Sequence, residues 1–205
     1  MTGRRVVVTG IGALTPIGNN LQDFWSSLKK GKSGAATITH FDATNFKTRF
    51  ACELKNFNPS DFIPKKEARR LDKFSQYALV VAEEAIKDAG LSSDQIASND
   101  VGVIVGSGTG SSREIQRIMD TIREKGMKRI GPYSVTRTMG NTTSAAISTF
   151  FKTKGISFSI ASACSTSLHC ISYGYDLIKN KKQKIVIAGG SEDDHWSGSI
   201  MFDAM

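Results

Sequence analysis

The stretch Ile156-Ser-Phe-Ser-Ile-Ala-Ser-Ala-Cys-Ser-Thr-Ser-Leu-His-Cys-Ile-Ser-Tyr-Gly-Tyr-Asp-Leu-Ile-Lys179 changes periodicity in its middle. Residues 156–161 read as a strand. From residue 166 to 179, Leu168, Ile171, Tyr175 and Ile178 recur every three or four positions, the spacing of one helical face. Between the two lie Ala161, Ser162, Ala163, Ser165 and Ser167, small side chains around Cys164. A buried strand, a sharp turn and a helix in that order form one unit of an α/β sheet.

The same alternation extends outward. Residues 5–9 (Arg-Val-Val-Val-Thr), 101–105 and 184–188 (Lys-Ile-Val-Ile-Ala) read as further buried strands. Residues 20–30 predict a helix with Leu21, Phe24, Trp25 and Leu28 on one face, closed by Gly31. The clearest helical pattern opens at Pro64 and closes at Gly90, through Leu71, Phe74, Ala78, Ala82, Ala85 and Ala89. Residues 112–125 predict a helix with Ile115, Ile118, Met119 and Ile122 inward, and residues 137–152 another. Residues 35–62 read as irregular. Continuous apolar strands between amphipathic helices imply an α/β fold with helices on both sheet faces. No closing helix is read after residue 188, so the ending at Met205 looks abrupt and the fold incomplete.

Composition sets outer limits. The 205 residues are 40% hydrophobic and 22% charged, a globular composition. No apolar run approaches the roughly 20 residues that span a bilayer, and the N-terminus lacks a secretory signal pattern. Three cysteines, Cys52, Cys164 and Cys170, suit a reducing compartment, so a cytoplasmic location is expected. The net charge of +8 suits solubility or an acidic partner and does not choose between them.

Cys164 is the strongest chemical candidate. A thiol at a strand-to-helix turn meets free backbone N–H groups and the positive end of the helix dipole, which stabilise an anion. The physics resembles the Gly-x-Ser-x-Gly nucleophile turn, though the residues differ. A packed structural cysteine is the competing reading, and it fits Cys170 better. His169 lies off the face of Cys164 and suits a local hydrogen bond. Cys164, His169, Cys170 and His195 match no usual zinc spacing, and no metal or cofactor is expected. The glycine loops at residues 10–18 and 106–110 do not carry a dinucleotide fingerprint, and Gly31-Lys-Ser33 lacks the preceding strand of a phosphate loop. Ser191-Glu-Asp-Asp-His195 reads as a loop whose adjacent acids point apart. Lys65, Lys66, Arg69, Arg70 and Lys73 place cations where a helix dipole opposes them. Weak aromatic interleaving argues against single-stranded nucleic acid as their partner.

Several of these segments, in order along the chain, resemble the elongating β-ketoacyl-acyl carrier protein synthases. They are Val7-Val-Thr-Gly-Ile-Gly-Ala-Leu-Thr-Pro-Ile-Gly18, residues 65–74, Gly106-Ser-Gly-Thr-Gly110, Gly131-Pro-Tyr133, Ser162-Ala-Cys-Ser-Thr-Ser-Leu-His169, Ala188-Gly-Gly-Ser-Glu192 and Phe202-Asp-Ala-Met205. The resemblance implies a thiolase-like fold of two similar α/β halves, usually dimeric, with residues 1–205 the N-terminal part. It implies that Cys164 takes an acyl chain from acyl carrier protein and passes it to a carbanion from decarboxylated malonyl-acyl carrier protein. By the same resemblance Thr109 and Met139 line the acyl pocket near the dimer interface. Lys66, Arg69 and Arg70 would dock the acidic carrier, with Lys125 and Lys128 assisting. The family's catalytic histidines, a lysine and the second oxyanion donor come from the C-terminal half, and His40, His169 and His195 match none of them. Two other readings stay open: a non-catalytic carrier-binding or dimerising fragment, and a cysteine-dependent thioester hydrolase.

Overall fold

The computed structural model describes residues 4–205; the first three residues of the domain read over 1–205 lie outside the described residues. In chain order the helices and strands are α1 Leu21–Lys29, β1 Ala36–Thr37, β2 Phe50–Ala51, α2 Lys65–Ala68, α3 Lys73–Asp88, α4 Ser93–Ile96, β3 Val101–Gly106, α5 Ser112–Lys125, α6 Ser134–Thr138, α7 Thr142–Phe151, β4 Ser157–Phe158, α8 Thr166–Lys179, β5 Ile185–Gly190 and α9 Trp196–Asp203.

Three parallel strands, in the order β4-β3-β5, form the central sheet. Every residue of β3 is buried, as a central strand covered on both faces requires. On one face Val103 and Val105 pack with Ala78 and Ala82 of α3 and Ile147 of α7. On the other, Ile104 packs with Cys170 and Leu177 of α8. The arrangement is helix, sheet, helix, the α/β layering expected from the alternation of periods.

Several expectations need correction. Residues 5–9 form no strand, and Val8 is 77% exposed. A β-branched run becomes a strand only beside a partner, and the β4-β3-β5 sheet pairs none with it. The chain is instead held just beyond, where Ile11 N–H donates to Asp88 (2.9 Å) and Ala13 N–H to Glu84 (2.8 Å). Residues 35–62, read as irregular, contain the antiparallel β1–β2 ribbon.

The helix read over 64–90 is two. Asp72 leaves helical geometry (φ −84°, ψ 177°) and caps α3, accepting from Ser75 N–H. The helix read over 137–152 also splits, with Met139 extended (φ −79°, ψ 125°) between α6 and α7. Ile115 and Met119 of α5 are exposed, not inward, and buried Glu114 faces the protein. On α8 the buried face is Thr166, Cys170, Gly174 and Leu177, while Leu168, Ile171 and Tyr175 face outward. Gly174 carries no side chain, so α8 approaches Val186 and Ala188 closely on that face. Finally, α9 does follow the last strand.

Candidate active site

Cys164 sits in a single 3-10 turn, Ala163–Ser165, that runs directly into α8. The side chain is exposed. Ala163 occupies the left-handed region (φ 49°), unusual for a residue with a Cβ and worth roughly 1–2 kcal/mol of strain. Local bonds hold it there. Ser162 N–H donates to Thr166 Oγ1 (2.9 Å), Thr166 Oγ1 donates to the Ala163 carbonyl (2.8 Å), and Ser165 N–H donates to the Ser162 carbonyl (3.1 Å). His169 Nδ1 lies 2.6 Å from Ser162 Oγ, so its imidazole is engaged by the turn itself.

The loop after β3 presses against this turn. A Cβ on Gly106 would lie 2.1 Å from the Ile160 carbonyl oxygen, and one on Gly108 would lie 2.7 Å from that of Ala163. Only glycine permits that approach. Gly110, with φ +67°, abuts Thr138 and Gly140 on the other side. Thr109 therefore lies between a glycine touching the Cys164 turn and a glycine touching the segment of Met139. The structure draws Cys164, Thr109 and Met139 into one neighbourhood, and all three are exposed.

The loop after β5, read as undistinguished, organises this region. Glu192 accepts from Ser107 Oγ (3.0 Å), Thr109 Oγ1 (3.1 Å) and Gly108 N–H. Asp193 holds Arg113 of α5 through two bonds (2.7 and 3.3 Å). Asp194 lies 2.6 Å from His40 Nδ1. Ser191 Oγ donates to the Phe74 carbonyl (2.8 Å). The acids do point apart, and each meets a different element. His195 caps α9; burial first, and then Arg113, push its pKa down, so a neutral ring accepts from Ser197 N–H.

The zinc combination raised from sequence does not assemble: His169 turns to Ser162 and His195 to Ser197. Among the described residues, His40, Glu53 and Asp194 form the one group with metal-ligand spacing. Buried Glu53 already accepts from Thr39 N–H, Thr39 Oγ1 and His40 N–H, so its carboxylate is spent on the fold.

The basic residues divide. Lys66 lies on α2, and Arg69 and Arg70 in the turn before α3, not in the first turns of one long helix. Arg70 stacks over Tyr133 at 6.0 Å, and Arg137 Nη2 donates to the Arg69 carbonyl. Lys125 ends α5, and Lys128 is in the 3-10 turn that follows. Neither makes an ion pair among the described residues.

Residues 3–205 match the model of the β-ketoacyl synthase N-terminal domain. The chain is 41% identical over 203 residues to 3-oxoacyl-[acyl-carrier-protein] synthase 1 of Haemophilus influenzae, covering 98% of this chain and 50% of that protein. It is 38% identical over 192 residues to 3-oxoacyl-[acyl-carrier-protein] synthase 2 of Vibrio harveyi, covering 94% and 46%. Among solved structures, a β-ketoacyl synthase from Burkholderia phymatum superposes with a TM-score of 0.84 at 31% identity, over 98% of this chain and 50% of that one. The ishigamide ketosynthase/chain length factor gives 0.89 at 26%, over 99% and 51%. The complex AntDE:AntF gives 0.78 at 26%, over 94% and 52%, and is described as a type II polyketide acyl-carrier protein with its ketosynthase. The chain thus spans about half the length of the relatives it matches. With its α/β layering, its cysteine turn and this match along nearly its whole length, the chain belongs to the β-ketoacyl synthase family, within the N-terminal domain.

Proposed function

We propose that this chain carries the acyl-accepting half of a β-ketoacyl-acyl carrier protein synthase of fatty acid synthesis, with Cys164 as nucleophile. The observation that carries the reading is the placement of an exposed thiol on a strained turn at the start of α8, backed by the glycine loop. The Cys164 thiolate attacks the carbonyl carbon of an acyl-carrier thioester. The oxyanion that forms is met by a backbone N–H at the helix start. Collapse breaks the carrier's carbon–sulfur bond and leaves an acyl-Cys164 thioester and the carrier thiolate, which takes up the proton lost by Cys164. In the complete reaction, malonyl-acyl carrier protein loses carbon dioxide, and the resulting carbanion displaces Cys164 to give a β-keto product.

Thr109 and Met139 are proposed to border the acyl chain, since the loop contacts bring both toward Cys164. Lys66, Arg69 and Arg70 are proposed to receive the acidic carrier, with Lys125 and Lys128 assisting. AntDE:AntF is an acyl-carrier protein in complex with its ketosynthase. Unpaired Cys52, Cys164 and Cys170 fit a reducing cytoplasm, and outward apolar side chains fit a homodimer.

The test is intact-mass analysis after incubation with acyl-acyl carrier protein. One acyl group should appear on the wild-type chain and none on Cys164→Ser. Equal acylation of that variant would refute the assignment. Release of free fatty acid would point to the hydrolase instead.

A further inference from the structure

We infer that Glu192 is a positioning residue for the Cys164 turn, acting through the glycine loop. The inference rests on the reading of Cys164 as the reactive thiol. Three observations support it. First, one carboxylate collects three consecutive donors of the loop: Ser107 Oγ, Gly108 N–H and Thr109 Oγ1. Each lies more than 80 residues away in the chain, so these bonds tie β5's exit to β3's exit. Second, Ser107 Oγ also accepts from Gly110 N–H (2.8 Å), so the same carboxylate completes a closed loop. Third, Gly108 is the residue in contact with Ala163, whose left-handed backbone sets the direction of Cys164.

The consequence is mechanical. Ala163 keeps a conformation that costs energy only while its surroundings leave no alternative. The loop supplies part of that constraint, and Glu192 supplies the loop's. Without the carboxylate the loop gains freedom, Ala163 can relax, and both the thiol and the Thr109 wall lose their common reference. Asp193 and Asp194 do not share the task, being committed to Arg113 and His40.

The experiment compares wild type, Glu192→Ala and Glu192→Gln. Hydrogen–deuterium exchange is followed in peptides covering 106–110, 160–166 and, as reference, 101–105. Alkylation by iodoacetamide is followed at Cys164 and at exposed Cys52 in the same molecule. In Glu192→Ala, exchange should rise about tenfold or more in both loops and stay unchanged in 101–105. The Cys164:Cys52 alkylation ratio should shift by about threefold or more. Glu192→Gln, which keeps an acceptor oxygen, should stay within about twofold of wild type in both readouts. An exchange gain confined to 106–110 with an unchanged ratio would overturn the inference. So would a rise across all three peptides, which would make Glu192 a general stabiliser. Neither readout needs an acyl donor. Failure of Cys164 to take an acyl group would therefore count against the proposed function alone.

Discussion

Asp72 is 4% exposed, and its Oδ2 has no hydrogen-bond partner. Burial is the main cause that pushes its carboxyl up from 3.8 to about 6, against the opposing pull of Ser111 and Ser75 and with added repulsion from Asp193. The sign follows from proton counting. Between about pH 4 and pH 6 the folded state holds a proton that the unfolded state has released, so stability falls as pH rises through that window. Above it the charged, buried carboxylate costs about 3 kcal/mol. Below about pH 4 both states are protonated and the cost vanishes. Asn caps a helix about as well as Asp. Asp72→Asn should therefore raise the unfolding midpoint by roughly 3–8 °C at pH 8 and by much less at pH 4.5. Scanning calorimetry at the two values checks this, and a lower midpoint at pH 8 would show that the charge is worth more as a cap than it costs by burial. A sequence reading could have flagged Asp72 as a cap, since Asp before a helical run is such a signal. It could not have found Glu192, whose partners lie more than 80 residues away on the loop after the neighbouring strand β3. The turn that carries Cys164 was legible because its setting is local: strand, small residues and helix follow one another within a dozen or so positions.

At the scale of elements, α5 and α8 have the same bounds that periodicity predicts, and β3 extends its predicted strand by one residue. The misses share a cause. Apolar spacing continues across Asp72 and across Met139-Gly140-Asn141, so the pattern does not register a break that capping and an extended residue impose. The inward face of α5 differs from its apolar pattern, because Ile115 and Met119 are exposed while Glu114 is buried. The break before α3 changes the meaning of the basic cluster. Lys66 on short α2 is free of a long helix's dipole, whereas Lys73 opens α3 and meets its positive end. Lys66→Glu reverses a charge on that surface. On the proposed carrier docking, affinity for acyl carrier protein should fall about three- to tenfold at low salt, mainly in association rate, and the difference should shrink as salt is raised. Biolayer interferometry across salt concentrations measures both. A salt-independent loss would show that Lys66 acts through packing and not through charge.

At the scale of the molecule, the sheet and its two helical layers account for the buried core but leave apolar surface uncovered. Leu168, Ile171 and Tyr175 follow one another along the outer face of α8, with Leu168 68% and Ile171 49% exposed. A helix that is apolar on both faces is ordinarily covered on both. The sequence showed the apolar stripe but not its direction, which depends on the sheet that α8 meets. Contiguous apolar surface of this kind drives association in water. The isolated chain should therefore sediment as dimers or larger species at tens of micromolar, by roughly the burial energy of a few exposed aliphatic side chains. Paired substitution Leu168→Lys and Ile171→Lys should shift the chain to monomer. It should change folding stability by no more than about 0.5 kcal/mol, because neither side chain contributes to the packed core. Sedimentation velocity reads the first effect and chemical denaturation the second. A wild-type chain that stays monomeric at such concentrations would show that this stripe is tolerated in solution, and a variant that loses stability would show that these side chains contribute to the packed core.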